Sequence, residues 1–183
     1  MGTKIEEYLN ILFKTTRIVS KLLNDGNMIR PDGTIKYIAC NHSRFHDNIV
    51  CALSNLNKSP SDIKFLDVGS GIGDKLLIAK EVFGLNVTGL EIDEQLIDLS
   101  QLLLRQAAIK PIHIDAFDFR NWSDFDIIYY YRPIAPEDVM ITLEHLIESQ
   151  MKDNSILISI NKLDRQLDST FTNLSNDVWI RRT

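Results

Sequence analysis

Cysteine is nearly absent from this chain: Cys40 and Cys51 are the two thiols in 183 residues. Two thiols cannot make a disulfide framework, and the shortage points to a reducing, cytoplasmic setting. No run approaches the ~18 consecutive apolar residues that a membrane-spanning helix needs, so no membrane association is expected. The opening MGTKIEEYLN has no long apolar stretch behind its lysine and does not read as a secretory leader. Gly2 is present, but the Ser or Thr that would complete a myristoylation motif is not. Internal repeats and low-complexity tracts are missing as well. Basic residues are in deficit, 20 Lys and Arg against 25 Asp and Glu, for a net charge of −5. A surface given over to nucleic acid would be basic, so that class of function loses ground.

What is there is an ordinary globular composition, 44% hydrophobic and 25% charged. A chain of this length buries roughly 70% of the surface its unfolded form exposes, without a metal or disulfide staple. The charge is uneven. Residues 1–62 hold eight basic and six acidic side chains, whereas 63–183 hold twelve and nineteen. The polar, proline-broken stretch Asn57-Lys58-Ser59-Pro60-Ser61 separates two parts, 1–62 and 63–183. In the first part, Ile5, Tyr8, Leu9, Leu12, Val19 and Leu22 recur at helical spacing over 4–23, and Asn24-Asp25-Gly26 supplies a stop. MIRPDGTIKYI reads as a hairpin around Pro31-Asp32-Gly33. Ser43 is placed to cap a second helix with face Phe45, Ile49, Leu53 and Leu56.

The second part alternates strands with helices. Strands are predicted at 63–69, 86–92, 112–116, 125–131 and 155–160. The helical faces between them are Ile72/Leu76/Ala79/Phe83, Leu96/Leu99/Leu103/Ala107 and Val139/Leu143/Leu146. Asp93 is a capping candidate, and Pro136 suits a first helical turn. Residues 168–174 and 177–182 can close the sheet edge as an antiparallel pair. Near-continuous apolar strands joined by helices require a parallel sheet covered on both faces. The fold class expected is α/β, doubly wound and mostly parallel, with a helix and hairpin extension at the N-terminus.

The chemistry concentrates in FLDVGSGIGDKLLIAKEVFGLNVTGLEID, residues 65–93. A strand ends at Val68, a glycine turn follows, and a helix begins near Gly73. Glycines there let backbone approach a ligand closely, and the helix start presents free N–H groups. Glu91 falls at the carboxyl end of the next strand, where a carboxylate can accept from ribose hydroxyls. The dinucleotide fingerprint G-x-G-x-x-G is not satisfied. Counted from Gly69 its sixth position is Asp74, and a carboxylate facing a pyrophosphate is unfavourable. The chain has instead D-x-G-x-G-x-G, Asp67 through Gly69, Gly71 and Gly73.

This motif, with the spaced Glu91, resembles motif I of the class I, seven-stranded S-adenosylmethionine-dependent methyltransferases over residues 63–160. The resemblance implies a Rossmann-like sheet of seven strands and S-adenosyl-L-methionine as cofactor. It also implies roles. Gly69, Ser70, Gly71 and Gly73 would line the methionine and ribose, and Asp67 would orient the loop or the cofactor amino group. Glu91 would hold the ribose, Ile92 would lie on the adenine, and Asp115 with the Ala116 N–H would read the adenine edge. Asp118 stands close enough to compete with Asp115.

The fourth strand departs from the amino-methylating members of that family. Tyr131-Arg132-Pro133 stands where they carry Asn or Asp followed by Pro-Pro. Tyr131 and Arg132 therefore become the candidate substrate-facing residues, Tyr131 to orient a nucleophile and Arg132 to pair with a carboxylate or phosphate. Tyr129 and Tyr130 read as core on alternate faces. No metal is expected: His42 and His46 share a helical spacing but lack further ligands. The 40–47 segment is expected to close over the cofactor, with Arg44 or Phe45 near the ligand, and Cys51 to be a buried small hydrophobe.

The resulting expectation is methyl transfer to an O or N nucleophile. The acceptor would be a protein side chain or small molecule, with RNA third, recognised through residues 1–62. A homo-oligomer built on the amphipathic N-terminal helix stays open. The rival reading is a non-catalytic S-adenosylmethionine-binding or interaction module, and a nicotinamide oxidoreductase fails on Asp74.

Overall fold

The computed structural model describes residues 2–23, 29–31, 33–164, 167 and 169–182, with side chains from residue 4 onward. Apolar alternation in the strands produces two buried faces. Phe65 and Val68 bracket the pattern in β1 (Lys64–Val68), where every residue after Lys64 is buried. The further strands are β2 (Asn86–Glu91), β3 (Ile112–His113), β4 (Ile127–Tyr131), β5 (Ile156–Ile160), β6 (Phe171–Ser175) and β7 (Val178–Arg181). They form one seven-stranded sheet in the order β3-β2-β1-β4-β5-β7-β6. The first five strands are parallel, and β7 joins β5 antiparallel with β6 outside it. The doubly wound α/β sheet expected from the sequence is therefore present, including its antiparallel closing pair.

One face of the sheet carries Phe65, Ile127, Tyr129, Ile156 and Ile158. These pack under α1 (Gly2–Leu23), α2 (His42–Leu53) and α3 (Asp74–Glu81) through Leu9, Phe45, Ile49, Leu76 and Ala79. The other face carries Leu66, Val68, Ile128, Tyr130 and Leu157 under α5 (Glu137–Gln150), with Met140, Leu143 and Ile147. Tyr129 and Tyr130 thus sit on opposite faces, both buried, as read. α4 (Glu94–Leu104) follows β2, and Asp93 caps it by accepting from the Gln95 N–H at 2.8 Å.

Several local expectations are corrected. α2 begins two residues earlier than Ser43 implied: Asn41 is its cap, its side-chain oxygen accepting from Ser43 N and Arg44 N. The helix stops at Leu53, so Leu56 packs from the following turn. Among the described residues the 28–38 hairpin is short: Ile29 and Ile35 bridge antiparallel and Arg30 N donates to Thr34 O at 2.9 Å, while Thr34 also bridges Ile134. In α5 the buried stripe is Met140, Leu143 and Ile147, and Val139 is 38% exposed, a phase one residue from the one predicted. Pro136 is the residue before that helix and not in its first turn. β3 keeps two residues because the chain turns at Asp115 into a short 3-10 segment. Cys51 is half-buried against the core. The stop at 24–26 and Asp32 of the hairpin turn lie outside the described residues. Among those described, no helix is long and apolar enough to cross a membrane, and no cluster of His, Cys, Asp and Glu is arranged to hold a metal.

Candidate functional site

A cavity of about 280 Å³ opens at the carboxyl ends of β1, β2 and β4. This is where ligands bind in open α/β sheets, at the point where strand order reverses. The glycine turn after β1 forms its floor. Gly69 N and Ser70 N both donate to Leu90 O, at 2.9 and 2.8 Å, tying the turn to β2. Gly69 and Gly71 have φ of +75° and +57°. A Cβ on Gly71 would stand 2.6 Å from the Tyr37 ring, and one on Gly69 would stand 2.7 Å from Pro133 Cβ. Only glycine meets both demands.

Glu91, 6% exposed, is fixed by three backbone donors. Gly71 N donates to Oε2 at 2.7 Å, and Ile92 N and Asp93 N donate to Oε1 at 2.9 Å each. Burial pushes its carboxyl above the ordinary value, although those three donors work against it. A carboxylate has about four acceptor positions, so these three donors leave one over on a residue that lines the cavity. Asp67 is more deprived. It is 2% exposed, and its Oδ2 has no hydrogen-bond partner. Burial drives its carboxyl well above the usual range, with Lys75 the main opposing influence. Asp115 uses Oδ1 to accept from Phe117 N at 2.9 Å, which turns the chain and leaves the residue on the cavity wall.

Of the residues singled out in the sequence, Asp67, Gly69, Ser70, Gly71, Glu91, Ile92, Asp115, Ala116, Tyr131 and Arg132 all line this one cavity. Gly73 is outside the lining: it sits before α3 with its α-carbon against Leu104, where a Cβ would come to 2.5 Å of Cδ1. Asp118 is outside it too. Arg132 has φ +31°, a strained conformation for a bulky residue. Its guanidinium reaches Ala135 O at 3.3 Å, and its Nε is buried with no partner.

Two expectations about 40–47 are overturned. Phe45 does not reach the cavity, because its ring is locked edge-on to Tyr129 and Phe65, at 5.0 and 6.0 Å. Arg44 turns the opposite way and grips Asp177 with two 2.6 Å bonds. The cover comes instead from the extended strap 34–38, whose Ile35 N donates to Pro133 O at 3.0 Å. Arg30 is bonded to Asp93, fastening the strap's other flank beside Glu91. Sequence reasoning also missed Lys75, which lines the cavity at 5% exposure. Its signal was weak: a lysine directly after Asp74 in an otherwise apolar helix start.

No protein-family model and no curated protein sequence matches the chain. Solved structures do. An RNA methyltransferase from Salinibacter ruber, in complex with S-adenosyl-L-homocysteine, superposes with a TM-score of 0.60 at 17% identity, over 79% of this chain and 92% of that one. CalS10 from Micromonospora echinaspora, an amino pentose methyltransferase with bound SAM, gives 0.54 at 18% identity, over 72% and 56%. Geranyl diphosphate C-methyltransferase from Streptomyces coelicolor A3(2) gives 0.51 at 12%, over 65% and 44%. This chain therefore spans less than two thirds of the last two. Their acceptors differ from one another, whereas the scaffold is common, and the chain has the α/β fold that these S-adenosylmethionine-dependent methyltransferases share.

Proposed function

We propose that the protein is an S-adenosylmethionine-dependent methyltransferase acting on an O or N nucleophile. The observation that carries this reading is the Glu91 carboxylate at the cavity wall, held by the Gly71 N–H of the glycine turn. It joins a hydroxyl-accepting group to a loop that only glycine can form. The residues present fit the cofactor. Glu91 keeps an acceptor position for ribose, and the unpartnered Asp67 Oδ2 suits a cationic amino group. Asp115 and the Ala116 N–H offer an acceptor and a donor to the adenine edge, with Ile92 alongside. The glycine turn also lacks the sixth-position glycine of a dinucleotide loop, with Asp74 standing there, which supports S-adenosylmethionine over a dinucleotide.

When bound, S-adenosylmethionine supplies a methyl group already activated by its sulfonium. The chain's own contribution is then proximity, orientation and exclusion of water. Ile35, Tyr37 and Ile38 of the strap, with Pro133 and Ile134, shield the cavity with largely apolar side chains. Tyr131, at the carboxyl end of β4, would orient the acceptor. Arg132, strained and with a buried Nε, would pair with a carboxylate or phosphate on it. A small molecule or a protein side chain fits this cover best, reached through the strap of residues 1–62. RNA ranks third despite the Salinibacter neighbour, because an overall charge of −5 runs against the basic surface that nucleic acid favours.

Isothermal titration with S-adenosylmethionine, S-adenosylhomocysteine and NAD tests the reading. Binding of the two adenosyl ligands and not of NAD supports it, and absence of adenosyl-ligand binding overturns it.

A further inference from the structure

Lys75 is a buried cation that the cofactor assignments above leave unused. It is the second residue of α3, 5% exposed, and it lines the cavity. An ammonium has three N–H donors. Among the described residues one acceptor is recorded for it, Asp74 Oδ2 at 2.6 Å. That same oxygen also takes the imidazole of His42, whose Nε2 lies 2.6 Å away, while His42 Nδ1 faces Leu9 O at 3.4 Å. Asp74 is thus shared between two buried cationic or donor groups, and it holds Lys75 in place without saturating it. Leaving N–H groups of a buried ammonium without acceptors is costly, so the arrangement favours an anionic ligand atom there.

The position identifies which anion. Lys75 Nζ stands 6.0 Å from the Phe45 ring, and Phe45 packs on Tyr129 of β4. The ammonium is therefore at the β1–β4 side of the cavity. Asp115 follows β3 and Glu91 ends β2, on the far side of β1 in the strand order. With adenine at Asp115 and ribose at Glu91, the amino-acid end of the cofactor falls to the β1–β4 side. Asp67, on β1 itself, faces the same cavity with its Oδ2 unpartnered.

We propose that Lys75 binds the carboxylate of the cofactor's amino-acid end, with Asp67 taking the adjacent ammonium, so that the two side chains select ligands carrying that zwitterion. Asp74 and His42 act as positioning residues for the lysine. The proposal rests on the cofactor reading and deepens it.

The test compares two pairs of ligands by calorimetry. S-adenosylmethionine and its decarboxylated form differ only in the carboxylate. S-adenosylhomocysteine and 5′-methylthioadenosine differ in the whole amino-acid end. Wild-type protein is expected to prefer the carboxylate-bearing member of each pair by about tenfold to a hundredfold, the usual worth of a charge-assisted hydrogen bond. Lys75→Met should lose affinity for S-adenosylhomocysteine and keep that for methylthioadenosine, and Lys75→Arg should recover part of the preference. Equal binding of S-adenosylmethionine and its decarboxylated form by the wild type overturns the proposal, and this arm needs no variant to fold. Equal weakening of S-adenosylhomocysteine and methylthioadenosine in Lys75→Met also overturns it, making the lysine structural. If no adenosyl compound binds the wild type, the cofactor reading itself fails, a result distinct from loss of carboxylate preference alone.

Discussion

At the scale of the residue, two buried aspartates, Asp67 and Asp74, do opposite things to stability. Asp67 has an unpartnered Oδ2, and burial holds its carboxyl well above the usual range. The folded protein then keeps a proton that the unfolded chain releases near pH 4, so stability falls as pH rises from about 4 toward the folded value. For Asp74, burial works the same way but is outweighed by Lys75 and His42, which hold its carboxyl far below the usual range. Its contribution is complete above about pH 4 and is lost as pH falls further. Glu91 is raised by burial and shares the upper window with Asp67, so a variant is needed to separate them. Asp67→Asn is expected to raise the melting temperature of the ligand-free protein at pH 7, flatten its pH dependence above 4, and weaken S-adenosylmethionine binding by about tenfold. Thermal melts across pH and calorimetry check this, and a lower melting temperature at pH 7 would show that Asp67 is stabilising. Glycine gives a second contrast. Gly71→Val combines φ +57° with a ring 2.6 Å from the new Cβ, so it should abolish cofactor binding and cost about 1–3 kcal/mol. Gly84→Ala carries a similar φ of +72° with nothing within 4 Å, so it should cost about 1–2 kcal/mol in chemical denaturation and leave binding unchanged.

At the scale of the element, α2 is the piece that ties the N-terminal segment to the far end of the chain. Arg44 makes a two-pronged bond to Asp177, which also accepts from Asn48 Nδ2 at 3.3 Å, in the turn between β6 and β7. Asp177→Ala removes both partners. Arg44 is 47% exposed and recovers hydration, so the expected loss is about 1 kcal/mol, read as a shift in urea midpoint at unchanged slope. The same helix shows what the sequence could and could not disclose. Its apolar spacing gave Phe45 and Ile49 correctly, since a 3.6-residue period marks a buried face whatever it packs against. It could not say that Arg44 points to Asp177, 133 residues away. The glycine turn, Glu91 and Asp115 were legible because their chemistry depends on short-range spacing along consecutive strands and turns. Lys75 was not, because its role comes from His42 reaching Asp74 across 32 residues. The hairpin was legible from its turn residues, and Ile29 does pair with Ile35, but its second run also bridging Ile134 as a strap over the cavity was not, because that partner lies 100 residues away.

At the scale of the whole molecule, the question is whether residues 1–62 form a lid on a self-sufficient domain or a part of its core. Phe45, Ile49 and Ala52 are completely buried, in the same cluster as Phe65, Ile127, Ile156 and Ile158 of the sheet. Removing 1–62 would bare that sheet face between α3 and the β6–β7 edge. It would also remove the strap from the cavity and leave Asp74 without His42. A single Phe45→Ala change should already cost about 3–5 kcal/mol, since the ring fills a site closed by Phe65 and Tyr129. That is comparable to a large part of the whole stability of a typical domain. Residues 63–183 expressed alone are accordingly expected to be insoluble or to lack a cooperative thermal transition, even though they contain all seven strands and the complete glycine turn. A soluble fragment with a sharp melt would instead make 1–62 an appendage, and its S-adenosylhomocysteine affinity would then measure what the strap contributes. The parallel strands argue for the first outcome: a parallel sheet is stable only when both faces are covered, and here half of one face is covered by the segment that precedes it.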